Sequence, residues 1–330
     1  MVKGKIVVHR YESRVLRANP LKDPSAREVI IYLPPDYSNS YSKGYVTIFI
    51  LPGFGSQGRT LLNIDPLGEN LEQRMNRLIS QKKCGPMIFV LLDCFTKFGG
   101  NQYLNSSATG KYEDYILKEI VPFVDKNYNV SKRAVFGHSS GGYGSLMLAM
   151  RHPELFHGIV DHAGDAGFEY CYLPDFPKAF KAYAEYGGPR NWLENFWRKP
   201  SHQDRQDGPP LNVFAMAAHY SPNPESREMG VDIPFNLKTG EILPQVWNRW
   251  LRHDPARIIG KYRNNLKRLR FIYLDCGSDD EFNLHLGARV IHSKLESMSI
   301  NHYYEEFNGG HMHTSFRYDH SLPMTYSKLS

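Results

Sequence analysis

Seven short apolar runs constrain this chain more than any other feature. They are Val29-Ile30-Ile31-Tyr32-Leu33, Val46 to Leu51, Met87 to Leu92, Arg133-Ala134-Val135-Phe136, Gly158-Ile159-Val160-Asp161, Phe271-Ile272-Tyr273-Leu274 and His302-Tyr303-Tyr304. The runs are continuous rather than alternating, so both faces of these strands are expected to be covered. Segments with helical spacing fill several gaps. Glu69 to Ser80 carries Leu71, Met75, Leu78 and Ile79; Tyr112 to Tyr128 has Pro122 as an interior flaw, expected to kink it. Gly142 to His152 and Asn283 to Ser299 complete the set. Strands alternating with helices predict an α/β chain with a doubly wound, mostly parallel twisted sheet and helices on both faces.

The stretch 165–254 breaks this rhythm. It is rich in Tyr, Trp, Phe and Pro and has no convincing core strand. It reads as a mostly helical, cap-like insertion over the active edge of the sheet, within a single catalytic domain spanning 1–330. An ordinary connection packed on the sheet's flank is the alternative.

At 330 residues the chain can bury a large core without a disulfide or a metal. A net charge of +6 is mild for this length, and the one basic stretch, Lys261 to Arg270, reads as a solvated helix face rather than a nucleic-acid site. The four cysteines, Cys84, Cys94, Cys171 and Cys276, form no CxxC pair and no zinc spacing. With no signal-peptide core after Met1 and no apolar stretch long enough to span a membrane, the expectation is a cytoplasmic protein. No nucleic-acid or membrane partner is expected. Oligomeric state is left open, a homodimer included.

The chemistry centres on Gly137-His138-Ser139-Ser140-Gly141-Gly142, which contains G-x-S-x-G with Ser139 in the middle. The pattern alone is a weak signal. Its setting is the one it requires: a strand at Arg133 to Phe136 before it and a helix from Gly142 after it. A nucleophile on such a turn has strained backbone angles, and small residues two before and two after let neighbouring backbone pass close by.

A serine hydroxyl needs a base, and on this fold the order is serine, acid, histidine. Phe307-Asn308-Gly309-Gly310-His311 is a strand end followed by a glycine pair and a histidine, so His311 is the expected base, with His313 its rival. The strand at Phe271 runs into an acidic turn where Asp280 leads Asp279, Glu281 and Asp275 as the acid. Two backbone N–H groups should face the carbonyl oxygen. Ser140 supplies one and Phe54, in the turn Leu51-Pro52-Gly53-Phe54-Gly55, the other; the plainer reading of Pro52-Gly53 is a turn signal only.

These residues resemble the Putative esterase family of the α/β hydrolases, which includes esterase D, enterochelin esterases, feruloyl esterases and mycolyltransferases. The resemblance runs from Arg27-Glu28-Val29 through Pro35-Asp36-Tyr37, the loop 51–55 and the Gly-His-Ser-Ser-Gly-Gly-Tyr-Gly elbow to the strand–acid and Gly-Gly-His segments. It implies an α/β-hydrolase fold and a triad of Ser139, Asp280 and His311. The Gly-x-x-Asp form, Gly277 to Asp280, lifts Asp280 above its neighbours. The implied activity is hydrolysis of small-molecule carboxylic esters, usually of small acyl groups, without metal or organic cofactor. Ser140 stands where esterase D commonly has Met, which weakens the alternative of a thioesterase of the S-formylglutathione hydrolase type. A non-catalytic binding protein on the same fold and a zinc site at His311-x-His313 are the remaining alternatives. Asn101, Tyr103, His138, Asp165, Phe168 and Tyr170 are candidate substrate contacts, with core packing or loop contacts as the competing reading.

Overall fold

The apolar runs become strands of one sheet. The computed structural model describes residues 3–202 and 204–330. Its strands are β1 (Lys5–Glu12), β2 (Ala26–Leu33), β3 (Tyr45–Leu51), β4 (Met87–Leu92), β5 (Val130–His138), β6 (Gly158–His162), β7 (Phe271–Gly277) and β8 (Tyr303–Phe307). Among the described residues these eight strands run in the order β1-β2-β4-β3-β5-β6-β7-β8. β2 is antiparallel to both β1 and β4, and every other pair is parallel.

Alternate residues of each strand enter two different cores, which is why the runs are continuous. Val29, Ile31, Phe49 and Val135 pack on one face. Ile30, Ile48, Ile50 and Phe136 pack on the other. The second face is covered by α1 (Leu71–Ser80), whose start is fixed by a capping box between Asn70 and Gln73. The first face carries α2 (112–127) and α3 (Ser140–Arg151). Pro122 does not simply kink α2. The preceding turn, Tyr115–Ile120, widens to a π-helix, and Pro122 then stands in the first turn of the α-helical segment Val121–Asn127.

Four longer helices follow β6: α4 (Phe176–Glu185), α5 (Pro189–Arg198), α6 (Gly208–Tyr220) and α7 (Pro244–Leu251). Their aromatic residues pack on one another, with Phe176 against Trp247 and Trp250, and Tyr183 against Trp192. Asp254 ties the two ends of this segment together by accepting the N–H groups of Gly167, Phe168 and Ala256. Helix α8 (Leu284–Ser297) then leads to β8, and α9 (Tyr318–Leu329) returns to the second face beside α1. Among the described residues no helix is long and apolar enough to cross a membrane.

A buried polar network holds α9 to the sheet. Asp275 on β7 accepts from Arg317 Nε at 2.8 Å and from the Tyr273 hydroxyl at 2.8 Å, and lies 2.6 Å from His162 Nδ1. His162 Nε2 lies 2.9 Å from the Ser321 hydroxyl on α9. Burial pushes the Asp275 carboxyl up, but His162, Arg317 and Tyr273 together hold it below the ordinary carboxylate range. Removing the guanidinium leaves a buried carboxylate short of its strongest donor. Arg317→Met is therefore expected to lower unfolding stability at neutral pH by about 3–5 kcal/mol. A group with a depressed folded pKa stabilises above its unfolded value, about 3.9, and that contribution fades as pH falls. The deficit should accordingly shrink in denaturant melts below about pH 4.

Candidate active site

Ser139 sits between the last residue of β5 and the first of α3 with φ 59° and ψ −127°. Residues with a side chain rarely adopt such angles, at a cost on the order of 1–3 kcal/mol. The surroundings impose them. The Ser139 N–H donates to the His162 carbonyl at 2.9 Å, and its own carbonyl accepts the Tyr143 N–H at 2.9 Å. The glycines on either side have the expected steric cause. A Cβ on Gly141 would lie 1.9 Å from the Leu51 carbonyl oxygen, and one on Gly137 would lie 2.1 Å from the Gly141 carbonyl. β3, β5 and α3 thus meet where only hydrogen fits. The Ser139 side chain does not cap α3, so its hydroxyl is not consumed by the helix.

His311 follows the Gly309-Gly310 pair and is buried. Its Nδ1 lies 2.7 Å from Asp280 Oδ2. The other oxygen of Asp280 accepts the N–H groups of Phe282 at 2.9 Å and Leu284 at 3.3 Å, which fixes the carboxylate plane. Burial raises the Asp280 pKa, but the hydrogen bond and charge of His311 and those two N–H groups hold it below the ordinary range. An ionised partner at Nδ1 places the ring proton there and leaves Nε2 as the acceptor.

The backbone of His311 is held as firmly as its ring. Its N–H donates to Glu281 Oε2 at 2.6 Å, and its carbonyl lies 3.0 Å from His138 Nε2. The rings of His138 and His311 pack 4.4 Å apart. Burial drives the His138 pKa down to about 3, so that ring stays neutral beside the base. Among the described residues no direct hydrogen bond joins the Ser139 hydroxyl to His311. What joins the two loops is His138, the chain neighbour of Ser139. Bonds of this kind often tighten only when substrate is bound.

The rival residues have other places. Asp275 is held in the network beneath α9. Glu281 serves the main chain of His311 rather than its ring. Asp279 and His313 are exposed.

Phe54 and Ser140 lie on two sides of the serine. A Cβ on Gly53 would come within 3.5 Å of Ser139 Cβ, so the turn after β3 rests against the elbow. That turn is closed by Gly55 N–H to the Gly99 carbonyl at 2.6 Å and Ser56 N–H to the Gly53 carbonyl at 3.1 Å. Among the described residues neither the Phe54 N–H nor the Ser140 N–H has a backbone partner, so both remain free to donate.

A family model described as Putative esterase matches residues 24–323. The chain belongs to this family. Among curated proteins, the uncharacterized protein YbbA of Bacillus subtilis (strain 168) is 25% identical over 159 residues, covering 43% of this chain and 58% of that protein's length. Among solved structures, a ferulic acid esterase superposes with a TM-score of 0.63 at 16% identity, covering 99% of both chains. An S-formylglutathione hydrolase from Agrobacterium tumefaciens gives 0.60 at 15% identity, covering 100% of this chain and 97% of that one. At such identities the likeness is one of fold, and it places this member of the esterase family on the α/β-hydrolase scaffold.

The candidate substrate contacts fare unevenly in this member of the family. Asn101 is buried, and its Oδ1 accepts the Tyr103 N–H at 2.6 Å. Tyr103 is buried with φ 56°, and its hydroxyl donates to the Pro52 carbonyl, bracing the turn that carries Phe54. Both brace this loop, and Asn101 Nδ2 is a buried donor without a partner among the described residues. Phe168 is fully buried against Tyr143, Tyr172 and Tyr220, so it is a core residue. His138 turns to the His311 carbonyl. Tyr170 is half-exposed, and its carbonyl accepts from Asn283 Nδ2 at 3.3 Å. Asp165 meets the residue after Ser139: Ser140 Oγ donates to its Oδ2 at 3.2 Å. Gln102, whose amide reaches both Ser140 and Asp165, carried no signal in the sequence beyond its place between Asn101 and Tyr103.

Proposed function

We propose that this chain is a serine esterase that hydrolyses carboxylic esters of small acyl groups in two acyl-transfer steps. Ser139 attacks the ester carbonyl while His311 Nε2 takes its proton, and Asp280 holds the imidazolium that forms. The oxyanion is received by the N–H groups of Phe54 and Ser140, each donor of this kind being worth roughly 100- to 1000-fold in turnover. His311 returns the proton to the leaving alcohol. Water then enters, gives its proton to His311 and releases the acid, which restores the serine. No cofactor enters this scheme.

The observation that carries the reading is Ser139 at φ 59° and ψ −127° between free N–H groups, a strain with no structural benefit of its own. The segment 165–254 is proposed to cover the cleft. Its support is the packing of α6 on the loop after β4, where Phe214 meets Phe98 and Met216 meets Gln102. A cytoplasmic location belongs to the same proposal and is supported by four buried, unbridged cysteines. The reading is tested with p-nitrophenyl esters of increasing acyl length, run beside S-formylglutathione. Turnover that is highest for short acyl esters and blocked by a fluorophosphonate supports it. No turnover of any ester, or turnover that a fluorophosphonate leaves intact, refutes it.

A further inference from the structure

Next to the elbow lies a buried polar cluster that the mechanism above does not use. Asp165 is 7% exposed. Its Oδ2 accepts three donors: the Tyr172 hydroxyl at 2.8 Å, Gln102 Nε2 at 3.1 Å and Ser140 Oγ at 3.2 Å. Gln102 Nε2 also reaches Ser140 Oγ at 2.7 Å. Ser140 directly follows the proposed nucleophile and supplies a proposed oxyanion N–H. The other oxygen of Asp165, Oδ1, has no hydrogen-bond partner among the described residues, and it is not among the buried atoms sealed from solvent.

This arrangement is expensive as scaffolding. An ionised carboxylate taken out of water needs donors on both oxygens, and a negative charge beside a site where an oxyanion develops opposes the reaction. An asparagine would accept the same three donors on one oxygen without either cost. Burial holds the Asp165 pKa above the ordinary carboxylate value, against the smaller lowering pull of Tyr172, His311, Gln102 and Ser140. A carboxyl with three donors on one oxygen and none on the other, bonded to the residue after Ser139, fits a donor arriving with the substrate.

We propose that Asp165 is a specificity-determining residue whose Oδ1 receives a hydrogen-bond donor, a hydroxyl or an ammonium, carried by the ester close to its reacting carbonyl. The proposal rests on the esterase reading and narrows its substrate class to esters polar near the scissile bond. A site built to pair a donor rejects the isostere that lacks one, because the acceptor is then left buried and unpaired. Plain acyl esters become the poorer substrates.

The donor can sit on the acid or on the alcohol, and two arms separate these sources. The acyl arm compares p-nitrophenyl 3-hydroxybutyrate with p-nitrophenyl 3-methylbutyrate, which differ by OH against CH3. The alcohol arm compares 2-hydroxyethyl acetate with propyl acetate by acid release. In one arm the wild type should prefer the hydroxyl ester in kcat/KM by about 10- to 100-fold. Asp165→Asn keeps an oxygen for the three protein donors but turns an amide toward the ligand, and should bring that ratio to within about 3-fold of unity. A wild-type ratio near unity in both arms overturns the proposal, as does an Asp165→Asn ratio equal to that of the wild type. The wild-type ratios decide the matter even if the variant does not fold. A chain inert toward every ester, p-nitrophenyl acetate included, fails the esterase reading itself. A chain active on p-nitrophenyl acetate but blind to the hydroxyl fails this inference alone.

Discussion

Ser139→Ala is expected to lower kcat for p-nitrophenyl acetate by about 10⁵- to 10⁶-fold and to abolish covalent labelling by a fluorophosphonate. The loss corresponds to about 7–8 kcal/mol of transition-state stabilisation. It is this large because no other hydroxyl can take over. Ser140 Oγ, the nearest in sequence, is 2% exposed and engaged with Gln102 and Asp165. Stability should change little. Ser139 Oγ does not cap α3, and the backbone bonds that impose its angles, Ser139 N–H to His162 and Tyr143 N–H to Ser139, do not involve the side chain. A thermal melt close to that of the wild type, beside lost activity, separates a chemical role from a structural one. The Phe54 and Ser140 N–H groups remain in the variant, so a residual rate above that of water is expected. Labelling retained by Ser139→Ala would remove Ser139 from the mechanism.

Much of the architecture is legible because burial leaves a mark on composition. β3, β4 and β7 are buried on both faces and read as unbroken apolar runs. β1 escapes the same reading. It is an edge strand with the pattern Lys-Ile-Val-Val-His-Arg-Tyr-Glu, exposed at alternate positions, and only its pairing with β2 declares it. α9 escapes because Pro323 stands inside it, and its hold on the sheet comes from polar groups, Arg317 and Ser321, which look like surface residues in a sequence. At the site, Ser139 is legible since sterics demand the glycines around it. The acid is not. Asp275, Asp279, Asp280 and Glu281 lie within seven residues, and local sequence does not say which way each side chain turns. Asp275 is still on β7, in register with His162, and points to α9; Asp280 lies past the strand end, where it meets His311. The same holds for Asn101, Tyr103 and Phe168. Their closeness to the sheet's active edge can be read, but their inward turn cannot.

The choice among those four carboxylates yields the second large effect. Asp280→Asn is expected to lower kcat/KM by about 10⁴-fold at neutral pH with the fold retained. The amide oxygen can still accept the Phe282 and Leu284 N–H groups that now bind Oδ1. Its NH2 then faces His311 Nδ1 in place of an acceptor. The ring answers by accepting at Nδ1 and carrying its proton on Nε2, so the nitrogen on the serine side has no lone pair for the hydroxyl proton. The imidazolium that forms during turnover also loses its counter-charge, so both ground-state tautomer and transition state are penalised. Asp279→Asn is the control: that carboxylate is exposed, and its variant should stay within about 3-fold of the wild type. Initial rates of the two variants on one ester decide between them, and a large loss in Asp279→Asn with none in Asp280→Asn would transfer the acid's role. Equal losses in both would mean that the turn 277–283 acts by holding its shape, with His311 oriented by its backbone bonds to Glu281 and His138 alone.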